Sequence, residues 1–238
     1  MTSKRPNYAG HVVHAMNRRV DRQTLFKNDE DYSSFRSLLG TAVEKFDLRL
    51  LEWVLMPNHV HFLAWPEEKD QFPKFMEWLF GTHAKIWRAE NDTVGEGPLY
   101  QGYKAFILSS GTKLHRLRNY LAMNPVEGGL VNHPWQWKWG SARRAKYKHF
   151  TSDINLSVGP KPIHQNLSQL LYTPWLTSKR DKAKLQKSLE REAPYGNDAW
   201  CERMIEKHGL EHTIRKLGRP KKNLDCGVCQ NQLSILTE

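Results

Sequence analysis

A chain of 238 residues, 39% of them hydrophobic, is long enough to bury one good core and a smaller second module. Its 36 Lys and Arg against 25 Asp and Glu leave a formal net charge of +11, which favours a polyanionic partner, most simply nucleic acid. No stretch approaches the roughly 20 apolar residues of a membrane span, and the 3 cysteines do not make a disulfide framework, so a cytoplasmic protein without a membrane partner is expected.

The N-terminal Met1-Thr2-Ser3-Lys4-Arg5-Pro6 lacks the apolar run of a signal peptide. Residues 10–16 read as a first strand. Asp29 to Phe46 carries apolar side chains at helical spacing, among them Tyr32, Phe35, Leu39, Ala42 and Val43. Leu48–Leu55 and His59–Trp65 are apolar runs split by the turn signature Met56-Pro57-Asn58, which predicts a hairpin. A second helix fits Phe72–Glu90, a polar loop Asn91–Gly97, and a fourth strand Tyr103–Leu108. Thr112–Met123 is a third helix, entered through Ser109-Ser110-Gly111 and stopped by Pro125, which sets Asn124 at or just past its last turn. The order βαββαβ is the ferredoxin-like split arrangement, an α+β fold with a four-stranded antiparallel sheet backed by helices.

After about Tyr147 the pattern weakens. We expect one domain over residues 1–147 and, over 148–238, a linker followed by a mostly helical, basic extension. Leu167–Leu171, Lys182–Glu190 and Asp198–Lys207 read as short helices. Gly218-Arg219-Pro220-Lys221-Lys222 is a basic hook of the kind that tracks a phosphate backbone or a minor groove; a solvated charged tail reads the same way. Cys226 and Cys229, with His208 and His212, make half a zinc pattern, but nothing supplies the rest of a known spacing.

The stretch with most chemical content is Met56-Pro57-Asn58-His59-Val60-His61-Phe62-Leu63. Side chains at i and i+2 of a strand share a face, roughly 6–7 Å apart, so His59 and His61 can converge on one divalent ion or one phosphate. The plainer reading is a half-exposed pair at a sheet end. In the third helix Tyr120 and Asn124 lie four apart and project from one face. A divalent ion on the histidines would polarise a phosphate that the Tyr120 oxygen attacks, forming a phosphotyrosine, with Asn124 as a third ligand. Without context, a mid-helix Tyr is more often a packing residue, and Asn before Pro a helix stop.

The string Leu55-Met56-Pro57-Asn58-His59-Val60-His61 resembles the His-hydrophobic-His (HUH) motif of single-tyrosine transposases of the insertion-sequence 200/605 type. Asn17-Arg18-Arg19, Leu99-Tyr100-Gln101-Gly102-Tyr103-Lys104 and Asn119-Tyr120-Leu121-Ala122-Met123-Asn124-Pro125-Val126 agree in order and spacing. The set, over residues 8–146, most closely resembles the REP-associated tyrosine transposases of bacteria. That resemblance implies a Tyr120 nucleophile that joins a 5′ phosphate of single-stranded DNA. It implies His59 and His61 as ligands of Mg2+ or Mn2+, Asn124 at a third ligand position often held by Gln, and an imperfect DNA hairpin as partner. Solitary members of the branch favour a monomer. The chain departs from the pattern at Glu127 and Gly128, where relatives carry Arg and Ala, which puts a negative charge near the expected DNA path.

Arg18, Arg19, Lys85, Arg88, Lys104, Arg116 and Arg118 are the expected phosphate contacts of the core, with Arg219, Lys221 and Lys222 in the tail. Trp135, Trp137 and Trp139 alternate as if on one face of an extended segment, packed over the sheet or stacking bases. Two other readings stand beside the transposase: a hairpin-binding protein without turnover, and an RNA-binding ferredoxin-like module. The second lacks its glycine-aromatic strand motif and leaves the histidine pair without a role.

Overall fold

Four strands, β1 (Val12–Arg18), β2 (Arg49–Met56), β3 (His59–Trp65) and β4 (Lys104–Leu108), form one sheet in the order β2-β3-β1-β4. Each neighbouring pair is antiparallel. The computed structural model describes residues 5–145, 154–157, 159–160 and 178–215. With α1 (Asp29–Lys45) and α2 (Gln71–Glu90) in the βαββαβ order, this is the expected ferredoxin-like α+β fold. The helix at Leu167–Leu171, the hook Gly218–Lys222 with Arg219, Lys221 and Lys222, and the pair Cys226 and Cys229 lie outside the described residues.

Both sheet faces are covered, and the period-2 alternation of the strands divides the core accordingly. Val13, Ala15, Val60, Phe62 and Ile107 point to α1 and α2, where Phe35, Leu39, Phe75 and Leu79 complete the larger core. Helix α1 starts where the Asn28 side chain accepts the Asp31 amide N–H at 2.9 Å, and Asp29, Glu30 and Asp31 favour its positive end. Val12, Val54, Leu63, Phe106 and Leu108 point the other way, to α3 (Thr112–Glu127). A bulge between Leu50 and Glu52 turns Leu51 and Glu52 to this same side.

Helix α3 runs past Pro125 rather than stopping before it. Pro125 lacks the N–H that would reach the Leu121 carbonyl, but only one turn follows, closed by Gly128 N–H to Asn124 O at 2.8 Å and Leu130 N–H to Pro125 O at 2.9 Å. Asn124 is therefore inside the helix. The C-terminal segment supplies α4 (Lys179–Arg191) and α5 (Asp198–His208). Leu185, Leu189 and Tyr195 pack into the α3-side core beside Leu114 and Leu117.

The sheet edges are closed by chain, not left as open ladders. At β4, Tyr195 N–H donates to Ile107 O at 2.9 Å, and the Glu192 carboxylate accepts from Ala105 N–H at 3.0 Å. At β2, Leu55 N–H donates to Trp139 O at 2.9 Å. Gly140 passes so close that an added Cβ would meet Val54 Cγ2 at 3.3 Å. Trp137 and Trp139 both pack on Tyr32 at the core, and Trp135 does not join them. Pro134–Gln136 is a short 3-10 turn, so Trp135 stacks on His133 while Trp139 stacks on Tyr32, with centroids 5.0 Å apart.

Candidate active site

The hairpin Met56-Pro57-Asn58-His59 holds the first ligand candidate at the very start of β3. Across the sheet His59 faces Arg18 and His61 faces Met16, so the two imidazoles and Arg18 share the α3 face. Their ring centroids are 4.9 Å apart. Helix α3 sets Tyr120 edge-on to His61, with centroids 6.3 Å apart. The Asn124 amide N–H donates to the Tyr120 carbonyl at 2.8 Å, which leaves its Oδ1 as an acceptor.

Burial keeps both imidazoles neutral. His59 falls to about 4 through desolvation and the nearby Arg18 guanidinium. His61 falls well below the usual range through desolvation, then through His59, His14 and Arg18. Each ring already uses its Nδ1, His59 to Asn58 Oδ1 at 2.6 Å and His61 to His14 Nε2 at 3.0 Å. Two neutral imidazoles with only Nε2 left over suit a divalent cation. Among the described residues no cluster of three or more His, Cys, Asp or Glu forms, so a cation here would complete its shell with amide, phosphate or water oxygens. The Tyr120 hydroxyl is held above its ordinary value by burial and by Glu127, against a downward pull from Arg18. Glu127 is itself paired with Lys182 of α4.

The expected phosphate contacts separate into groups. Arg18 stands in the site, half-buried, and among the described residues its Nε has no hydrogen-bond partner. Lys104, exposed on β4, pairs with Met16 in the row that contains His61, and its Nζ lies 3.4 Å from Glu190 O. Arg19 and Arg88 meet around Trp87 on the α2 side, Arg19 at 4.7 Å from the indole and Arg88 bonded to Gly97 O. Lys85 is exposed on the same helix. Arg116 is held by Asp181 at 2.6 Å. Arg118 is not a surface contact: it is 5% exposed and paired with Glu52 at 3.5 Å, because the β2 bulge brings that carboxylate under α3. His14, which pattern reading passes over, lies beneath the pair; a polar residue on the inward register of β1 was its only trace.

Residues 7–124 match the family model described as "Transposase IS200 like". Through those residues the chain belongs to the IS200-like transposase family. Among solved structures, a REP-associated tyrosine transposase bound to a REP hairpin is 16% identical, with a TM-score of 0.51 over 68% of this chain and 94% of its own. That likeness is one of fold. A putative transposase from Deinococcus radiodurans is 19% identical, with a TM-score of 0.34 over 50% of this chain and 95% of its own. No curated protein matches the chain in sequence. The family assigns this transposase to DNA binding, transposition and recombination. Among its described residues no helix is long and apolar enough to cross a membrane.

Proposed function

We propose that this transposase nicks and rejoins single-stranded DNA at hairpins through Tyr120, with a divalent cation, Mg2+ or Mn2+, on His59 and His61. The observation that carries the reading is the edge-on approach of Tyr120 to His61 on the face shared with His59 and Arg18. Tyrosine here is neither solvent-facing nor lost in the apolar core; it stands beside two neutral ligands and one cation.

In the nicking step the Tyr120 oxygen bonds to phosphorus and the P–O3′ bond breaks. The phenolic proton ends on the departing 3′ oxygen, leaving a 5′-phosphotyrosine and a free 3′-hydroxyl. Joining reverses these changes with another 3′ end. A bound cation would draw charge from the phosphate oxygens. Arg18, from the other side of the pair, adds fixed positive charge where the phosphoryl group gains negative charge. Asn124 offers Oδ1 as a third ligand. The hairpin is proposed by analogy with the REP hairpin on the similar structure. Because Tyr120 meets His61 within one chain, a monomer suffices for a site. Residues 1–147 are proposed as the catalytic domain and 148–238 as an extension whose α4 braces α3.

The test uses hairpin oligonucleotides from DNA flanking the gene, with Mn2+, and looks for an SDS-resistant protein–DNA adduct. Wild-type protein should form it, and Tyr120→Phe or chelator should abolish it. Tight binding without any adduct would make the protein a hairpin binder. An adduct that survives in Tyr120→Phe would place the nucleophile elsewhere.

A further inference from the structure

We propose that His14 is a positioning residue of the histidine pair: its Nε2 accepts the Nδ1–H of His61, fixing the tautomer that leaves the His61 Nε2 lone pair for the cation. The inference rests on the metal-site reading above and assigns a role to a residue outside the motif. His14 Nε2 and His61 Nδ1 are 3.0 Å apart, and the rings lie nearly parallel at 13°. His14 is 1% exposed and His61 2%. The edge of Phe106 packs against His14 at 5.0 Å between centroids.

Nothing in the packing needs an imidazole at position 14. Apart from His61, its neighbours on this face are apolar, and among the described residues its buried Nδ1 has no hydrogen-bond partner. An unmet polar atom in a core is destabilising, and a leucine would fill the same space without one. Among the described residues, the polar contact His14 makes is to His61. The proton between the rings can sit on either nitrogen, and the surroundings decide. If His61 accepted, its Nε2 would carry hydrogen and point a positive N–H dipole into a face that already holds the Arg18 guanidinium, across the sheet from His59. If His61 donates, the Nε2 lone pair meets that positive field instead. The neighbouring ring follows the same rule: the Asn58 amide oxygen can only accept, so His59 donates from Nδ1. The amide is oriented by its own N–H, given to Arg22 O at 2.8 Å. His14 and Asn58 therefore prepare the two rings alike, as outer partners of metal-bound histidines do.

Long-range 1H–15N spectra of the full chain, metal-free and labelled at histidine, report each tautomer, and calorimetry with Mn2+ alone reports the site. His61 should carry its proton on Nδ1 in the wild type. In His14→Leu that preference should be lost and Mn2+ affinity should fall about 10–100-fold. In His14→Gln, whose Oε1 can accept where Nε2 did, both should be retained. Protonation of wild-type His61 on Nε2, or tautomer and affinity unchanged in His14→Leu, would overturn the proposal. Should His14→Leu not fold, the wild-type spectrum and the Gln variant decide it. A wild type with the assigned tautomer that takes no Mn2+ would remove the metal step of the proposed function and leave the tautomer assignment in place.

Discussion

Tyr120 illustrates how one side chain is governed by opposing neighbours. Burial and Glu127 hold its hydroxyl protonated, while Arg18 favours the phenolate. In the proposed reaction the attacking form is the phenolate, so single-turnover adduct formation should rise with pH across the neutral and mildly alkaline range. Removing the opposing charge in Glu127→Gln should shift that rise to lower pH; an unchanged profile would mean Glu127 is screened by Lys182. Arg18→Gln acts in the opposite sense and also strips positive charge from the phosphate, so its rate should fall on the order of 100-fold. The histidine pair should not confuse the profile, since burial lowers His59 to about 4 and holds His61 well below the usual imidazole range.

Helix α3 is the element on which the site depends, and it is held from below and from the side. Below, Glu52 accepts from Arg144 at 2.7 Å and from the Ser141 hydroxyl at 2.5 Å, and pairs with Arg118. Neutralising the carboxylate leaves the buried Arg118 and half-buried Arg144 charges uncompensated by it. Glu52→Gln should cost about 3–5 kcal/mol, a drop in Tm on the order of 10 °C by thermal unfolding. A change within a degree or two would show that water enters and solvates Arg118. From the side, α4 grips α3 through Arg116–Asp181 and Glu127–Lys182, which straddle Tyr120 along the helix. Among the described residues the extension thus reaches the helix that carries Tyr120 through packing and these two ion pairs.

For the molecule as a whole, buried neutral histidines set the acid limit. His14 lies at about 3 and His59 and His83 at about 4, with His61 also depressed. Unfolded imidazoles take up protons below about pH 6.5, whereas these folded ones do not until well below it. Stability should therefore fall as pH drops through that window, by about 1.4 kcal/mol per pH unit for each such group. Calorimetric Tm values between pH 7 and 5 check this; a flat profile would refute it. The net charge of +11 acts outward: hairpin affinity should drop on the order of 10³-fold between about 50 and 200 mM salt if six or more phosphates are contacted.

The strands, the first two helices and the hairpin were legible from local pattern, because alternation, helical spacing and turn residues act over a few neighbours. That His59 and His61 share one face was legible too, since two residues of one strand carry it. Local rules misjudged Pro125, where a single turn beyond the proline is closed by other donors. They also misjudged Trp135, which a 3-10 turn separates from the packed Trp137 and Trp139. What depends on distant partners could not be read. His14 gains its role from a ring 47 positions away. Arg118 loses its expected one to a carboxylate that a bulge redirects. Arg19 and Arg88 are drawn around Trp87 on the far face. The chain by itself determined which chemical groups are available and in what order; the tertiary structure decided which of them meet, because burial and charge pairing are settled only when the layers close.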